Sequence, residues 1–141
     1  MTTIEYLHQP GMIRQEIARK IVRIENLRRY AARLTAPVRE VEVQSTPDPA
    51  RMQAFLSEVA DTEKEIDDLR KILEKTLDEI ALYLSFLSDP LMHRVMELRY
   101  LNCLDWNQIA WQIGYYPTSV YRVHRRALKL LPPPPGAPDE T

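Results

Sequence analysis

Apolar residues recur at helical spacing along most of this chain. Between residues 12 and 34, Ile13, Ile17, Ile21, Ile24, Ala31 and Leu34 form a stripe at intervals of three, four and seven, with no proline or glycine between them. That pattern predicts one amphipathic helix. Residues 50–87 carry a stricter repeat: Met52, Val59, Ile66, Leu73, Ile80 and Leu87 stand seven apart. Phe55, Leu69 and Tyr83 fill the partner positions, while Thr62 and Thr76 weaken the seam. A helix of roughly 38 residues at about 1.5 Å rise spans more than about 50 Å, and such a stripe needs a partner. Leu56, Leu77 and Leu84 widen the apolar face, which predicts packing against more than one helix. The 12–34 helix, folded back antiparallel across a 35–49 connector, supplies one partner. A homodimer through the 50–87 helix satisfies the pattern equally.

The pattern shortens beyond residue 88. Ser88-Asp89-Pro90 ends the long helix and caps the next, whose inward stripe is Leu91, Val95 and Leu98 and whose end falls near Leu101 or Asn102. Then Trp106, Ile109, Ala110 and Ile113 fall on one helical face, opened by Asp105 with Gln108 in capping-box spacing. Gly114 stands where that helix must end in a left-handed residue, and Pro117 suits the first position of a new one. There Val120, Val123, Ala127 and Leu130 or Leu131 face inward, and Thr118, Tyr121, Arg122, Arg125 and Lys129 face outward. Two short helices joined by a glycine turn, the second with a cationic outer face, predict a helix-turn-helix.

Punctuation sets the remaining boundaries. Residues 1–9 read as a polar leader closed by a Pro10-Gly11 loop. Pro37, Pro47 and Pro49 break the 35–49 connector, where Val38, Val41 and Val43 alternate only partly. Asp48-Pro49 predicts an N-cap followed by a first-turn proline. Residues 132–141 are proline-rich, a stop and a disordered end. The expected architecture is all-α: an N-terminal antiparallel helical hairpin over 1–88, a three-helix helix-turn-helix unit over 89–131, and the tail.

Charge changes the picture more than composition does. The 141 residues carry a formal net charge of -1, but residues 10–39 hold eight bases against two acids, and residues 40–80 hold twelve acids against five bases. Residues 114–131 carry four bases and no acid, the local footprint of nucleic-acid binding. The basic face of the 12–34 helix reads as a solvated surface, as a second phosphate-contacting surface, or as a cradle for Glu58, Glu63, Glu65, Asp67 and Asp68. One cysteine, Cys103, excludes an intramolecular disulfide and a zinc knuckle. His8, His93 and His124 lack ligand-spaced companions, and three glycines build no phosphate loop. The chain therefore reads as neither an enzyme nor a metalloprotein, with no cofactor. No stretch approaches the roughly 18 apolar residues of a membrane span, and no secretory leader is recognisable. The expected location is the cytoplasm.

The run from Arg94 to Leu131 resembles region four of bacterial sigma factors, through Leu98-Arg99-Tyr100, Trp106…Ile109-Ala110, Val120-Tyr121-Arg122 and Ala127-Leu128. The layout as a whole resembles the phage-encoded RinA/ArpU-type transcriptional activators, which place a seven-residue-repeat hairpin before a sigma-like helix-turn-helix. The resemblance covers the last third of the chain by motif and the rest by layout. It implies late-gene transcription control in a phage or prophage, the cytoplasm of a bacterial host, double-stranded DNA as ligand and host RNA polymerase as a further partner. Three positions depart from the pattern. Cys103 replaces a turn glycine, leaving Asn102 to supply the left-handed residue. Tyr116 replaces a hydroxyl cap, and Pro117-Thr118 replaces charged DNA-touching residues, so promoter preference does not carry over.

With residues 117–130 in a major groove, Arg122 is the expected base reader, bidentate to guanine O6 and N7; a solvated side chain or a phosphate contact is the plainer reading. Thr118 and Tyr121 flank it as further base readers. Ser119, Arg125, Arg126 and Lys129 are expected on phosphates, with Asn107 at the first helix's N-terminus. Gln108 serves the cap ahead of a phosphate contact, Trp106 closes the core with an exposed stacking role as the lesser reading, and His124 is a polar residue or another phosphate contact. Two other functions fit the same pattern: a small-terminase-like recognition subunit of phage DNA packaging, and a helical RNA polymerase-binding adaptor that never touches DNA.

Overall fold

The computed structural model describes residues 1–35 and 48–136, and these are helical and irregular, without a strand. The protein is all-α over those residues. No helix among them is long and apolar enough to cross a membrane. The partial Val38–Val41–Val43 alternation and residues 137–141 lie outside the described residues.

The first helix, α1 (Thr3–Leu7), occupies the expected leader. The Thr2 hydroxyl accepts the Glu5 N–H at 3.2 Å, and the Thr2 N–H donates to Oε2 of Glu5 at 3.3 Å. This capping box starts the helix, and burial of Tyr6 and Leu7 holds it in place. The second helix, α2 (Gln9–Thr35), begins almost at once and includes Pro10 and Gly11, the pair expected to form a loop. A first-turn proline gives up an N–H that has no intrahelical acceptor, and Met12 already donates to the His8 carbonyl at 3.1 Å. The third helix, α3 (Pro49–Leu84), has 36 residues. Asp48 Oδ1 accepts the Ala50 N–H at 3.0 Å, ahead of Pro49. Residues 85–87, expected inside this helix, leave it in tighter turns: Leu87 N–H donates to the Leu84 carbonyl at 3.0 Å.

The chain divides into two compact units, residues 15–71 and residues 1–14 with those from 72 onward. In the first, Ile17, Ile24 and Ile66 are buried beside Thr62, whose hydroxyl donates to the Glu58 carbonyl at 2.8 Å. The cations of α2 are answered by carboxylates of α3. Lys20 pairs with Glu65 at 2.7 Å, Arg28 with Glu63 at 2.8 Å, and Arg23 with Glu58. The Lys20 hydrogen bond draws the Glu65 carboxyl below its ordinary range. Tyr30 meets Phe55 edge-on at 5.1 Å. Solvent-exposed ion pairs of this kind set register more than stability.

In the second unit, α4 (Pro90–Met96) starts on Asp89, whose Oδ1 accepts the N–H groups of Leu91 and Met92 at 2.9 and 3.0 Å. It continues as a π-helical turn, Glu97–Leu101, in which Asn102 N–H reaches the Glu97 carbonyl at 3.1 Å. That bond keeps Asn102 right-handed, with φ -93°. The left-handed residue is Cys103 itself, φ 54°, and not Asn102. Arg14 braces the turn: its Nη1 donates to the Leu101 carbonyl at 2.9 Å and contacts Cys103 Sγ at 2.7 Å.

Two helices complete the unit, α5 (Trp106–Ile113) and α6 (Pro117–Leu130). Asp105 Oδ1 accepts the Gln108 N–H at 2.8 Å, and Gln108 Oε1 accepts the Asp105 N–H at 3.0 Å. Gly114, φ 73° and ψ 29°, closes α5. The buried face of α6 serves two cores. Val120 and Val123 join Val95, Leu98, Ile109 and Ala110. Further along, Ala127 and Leu131 join Tyr6, Leu7, Ile80, Tyr83, Leu84, Leu87, Met96 and Tyr100. A side chain buried this way is worth about 1.5–3 kcal/mol when large and aliphatic, so α6 is fixed along its length. The Tyr83 hydroxyl donates to the Pro132 carbonyl and Pro134 is buried, so the tail begins on the protein surface.

Candidate nucleic-acid interface

The exposed face of α6 is what its two cores leave over. Thr118, Tyr121, Arg122, Arg125, Arg126 and Lys129 are exposed, and Ser119 is half-buried. Thr118, Tyr121, Arg122 and Arg125 come together with Trp106 and Pro117 around one shallow cleft of about 420 Å³. Arg126, Lys129 and Ser119 do not line it. Asn107 is exposed on α5 and lines a separate groove of about 410 Å³ with Leu104, Gln108, Trp111 and Gln112.

Trp106, Tyr121 and Arg125, all lining the cleft, belong to a stack of alternating character that begins on Arg99. The Arg99 guanidinium lies 4.4 Å from the Trp106 ring centroid while its Nη1 donates to the Leu104 carbonyl at 3.0 Å. Trp106 meets Tyr121 edge-on at 5.4 Å, and the Arg125 guanidinium lies 5.0 Å from the Tyr121 centroid. Cations over aromatic faces attract the ring quadrupole. The stack therefore orders Arg125, a residue that would otherwise spread over many rotamers. Trp106 is half-buried rather than fully in the core.

Beneath the stack, the structure corrects the reading of His124. It is 6% exposed, its ring 4.6 Å from that of Trp106, and its Nε2 is 2.5 Å from the Tyr100 hydroxyl. Its Nδ1 is buried without a hydrogen-bond partner. Burial, helped by the nearby Arg99 and His8 charges, pushes its pKa down to about 4, and burial pushes the Tyr100 phenol up to about 12. A neutral, enclosed imidazole does not contact phosphate. Position 124 lies between the buried positions 120, 123 and 127, so its spacing had already placed it on the inner face.

Three surface residues lie outside the site expected from sequence. Arg99 anchors the stack, and only its place in Leu98-Arg99-Tyr100 distinguishes it. Trp111 is 86% exposed and Tyr116 is exposed beside the turn. Trp111 falls outside the 106–109–110–113 stripe, which was the available signal. Tyr116 leads α6 without a side-chain cap, leaving the Thr118 N–H at an uncapped helix start. Among the described residues no three His, Cys, Asp or Glu side chains gather as metal ligands.

No family model matches the chain, and no curated protein or solved structure matches it significantly.

Proposed function

We propose that the protein is a sequence-specific DNA-binding transcriptional regulator, with α5 and α6 as a helix-turn-helix and α4 as its packing helix. The observation that carries this reading is the division of α6: one face is buried along its length, and the other presents Thr118, Tyr121, Arg122 and Arg125 around a single cleft. Residues 114–131 contribute no carboxylate to repel a phosphate backbone. With α6 in the major groove, Arg122 and Thr118 read base edges, with Tyr121 beside them. Arg125, Arg126, Lys129, Ser119 and Asn107 hold phosphates. Residues 1–88, as an antiparallel helical hairpin, carry the partner-binding role, and the resemblance to RinA/ArpU-type activators makes late-gene control in a bacterial cytoplasm the specific form of the proposal.

Selection from random double-stranded oligonucleotides at near-physiological salt tests this reading. An enriched motif is the expected result; its absence removes the proposal.

One observation favours a second reading, an RNA polymerase-binding adaptor. The outer face of α5 joins an exposed Trp111 to the uncharged Asn107, Gln108 and Gln112, and aromatic, charge-poor surface is typical of interface cores. Capture of host polymerase that is lost in Trp111→Ala but kept in Arg122→Ala supports the adaptor.

A further inference from the structure

The α3 helix carries a second stripe beside the one its own chain covers. Ile66, Ile80 and Leu87 of the seven-residue repeat are buried within the chain. On an adjacent face, Ile72, Lys75, Glu79 and Leu82 recur at intervals of three, four and three, the a and d spacing of a two-stranded coil. All four are exposed, Ile72 at 51% and Leu82 at 72%. Among the described residues, neither Lys75 nor Glu79 takes part in an ion pair. Phe86, one turn beyond Leu82, adds another exposed apolar side chain.

We propose that a second copy of this chain docks antiparallel on the Ile72–Lys75–Glu79–Leu82 face, about a two-fold axis midway between Lys75 and Glu79. Antiparallel helices bring each a position opposite a d position of the mate. Ile72 then meets the second copy's Leu82, Lys75 meets its Glu79, and both pairs recur through the two-fold, as an isologous interface requires.

Charge selects this arrangement over its neighbours. A parallel pair sets Lys75 against Lys75 and Glu79 against Glu79. Sliding the antiparallel pair by seven residues one way sets Glu79 against Asp68 and Ile72 against Lys75. Sliding it the other way sets Lys75 against Phe86 and Glu79 against Leu82. Only one register matches apolar with apolar and cation with anion, so the face is complementary to itself and is discriminating in the sense of e and g charges in longer coils. The seam is short, roughly 16 Å at about 1.5 Å per residue, so the dimer is a concentration-dependent one. This inference does not depend on DNA binding.

Sedimentation of the full-length chain over a concentration series tests it, with thermal melts to confirm folding. The wild type is expected to pass from monomer to dimer. Lys75→Glu and Glu79→Lys, each of which creates two like-charge contacts across the axis, should each weaken association roughly tenfold, and the double swap should restore it. A wild type that stays monomeric, single swaps that leave association intact, or a double swap that fails to rescue each overturn the proposal. Orientation has its own readout in a Cys103→Ser background. Ile72→Cys mixed with Leu82→Cys should cross-link on oxidation, whereas Ile72→Cys alone should not, since like residues lie about 15 Å apart along the axis. Self-cross-linking of Ile72→Cys without a mixed product between Ile72→Cys and Leu82→Cys overturns the antiparallel register.

Discussion

The Arg125 guanidinium lies 5.0 Å from the centroid of the Tyr121 ring, the outermost contact of a stack founded on Trp106 and Arg99. Two residues expected in separate roles are thus one unit, in which Tyr121 positions the cation that the proposed DNA complex would set on phosphate. A cation–π contact at an exposed site is worth about 0.5–1 kcal/mol. Tyr121→Leu is expected to weaken binding to all DNA sequences, and Tyr121→Phe, which keeps the ring, to bind nearly as the wild type. A double-mutant cycle of Tyr121→Leu with Arg125→Ala in a DNA titration should give a coupling of that size. Loss of sequence preference in Tyr121→Phe would instead return the hydroxyl to base reading.

Arg122 and Arg126 are both exposed on α6, but only Arg122 lines the cleft with Thr118. Arg122→Ala is expected to flatten discrimination between preferred and scrambled sites, at about 1–3 kcal/mol for a lost bidentate guanine contact. Arg126→Ala should weaken both sites equally and reduce the slope of log affinity against log salt by about one. Titrations of each variant on both sites at several salt concentrations separate the two effects. The same salt slope in Arg126→Ala as in wild type would remove Arg126 from the phosphate contacts.

Local rules carried most of the last fifty residues. Asp89-Pro90, Asp105 with Gln108, Gly114 and Pro117 each act within one turn of backbone, and each stands where its chemistry placed it. Thr2 and Glu5 follow the same capping rule, but the helix they start has only five residues, too few to show a periodic stripe. Pro10 is no breaker, because its first-turn position removes the penalty. What sequence did not offer was contact between distant positions. The π-turn moved the left-handed residue from Asn102 to Cys103. The stack joins Arg99, from the segment before α5, to Tyr121 and Arg125 on α6 through Trp106. His124 obeys a spacing that points inward, which its imidazole polarity masks in sequence.

Gly114 and Cys103 both hold left-handed backbone, at φ 73° and 54°, and only one of them is a glycine. A Cβ added at Gly114 would meet nothing within 4 Å, so Gly114→Ala tests conformation alone and should cost about 1–2 kcal/mol. Cys103→Gly removes a comparable strain, offset by about 0.5–1 kcal/mol of added unfolded-state freedom. It also loses the Sγ contact to Arg14. The expected outcome is a net change between zero and about 1 kcal/mol in the stabilising direction, with Cys103→Val clearly destabilising because β-branching is disfavoured at positive φ. Urea denaturation of the three variants checks the order.

His124 links the stability of this unit to pH. Its folded pKa, about 4, lies below the ordinary imidazole value of 6.5 because burial penalises the charged ring, with Arg99 and His8 adding to the effect. Above pH 6.5 the ring is neutral in the folded and unfolded chain alike, and it contributes no pH dependence. As pH falls from there toward 4, the unfolded chain takes up a proton that the folded one refuses, so folding weakens. Below about 4 the folded ring also protonates and the decline levels off. His124→Phe keeps an aromatic ring against Trp106 and removes the titration, at the cost of leaving the Tyr100 hydroxyl without its 2.5 Å partner. Denaturant unfolding of both proteins at a series of pH values should show the wild type losing stability relative to the variant between pH 6.5 and 4. Carboxylates common to both proteins cancel in that difference. Parallel profiles across the window would mean that His124 charges in the folded state as readily as in the unfolded one.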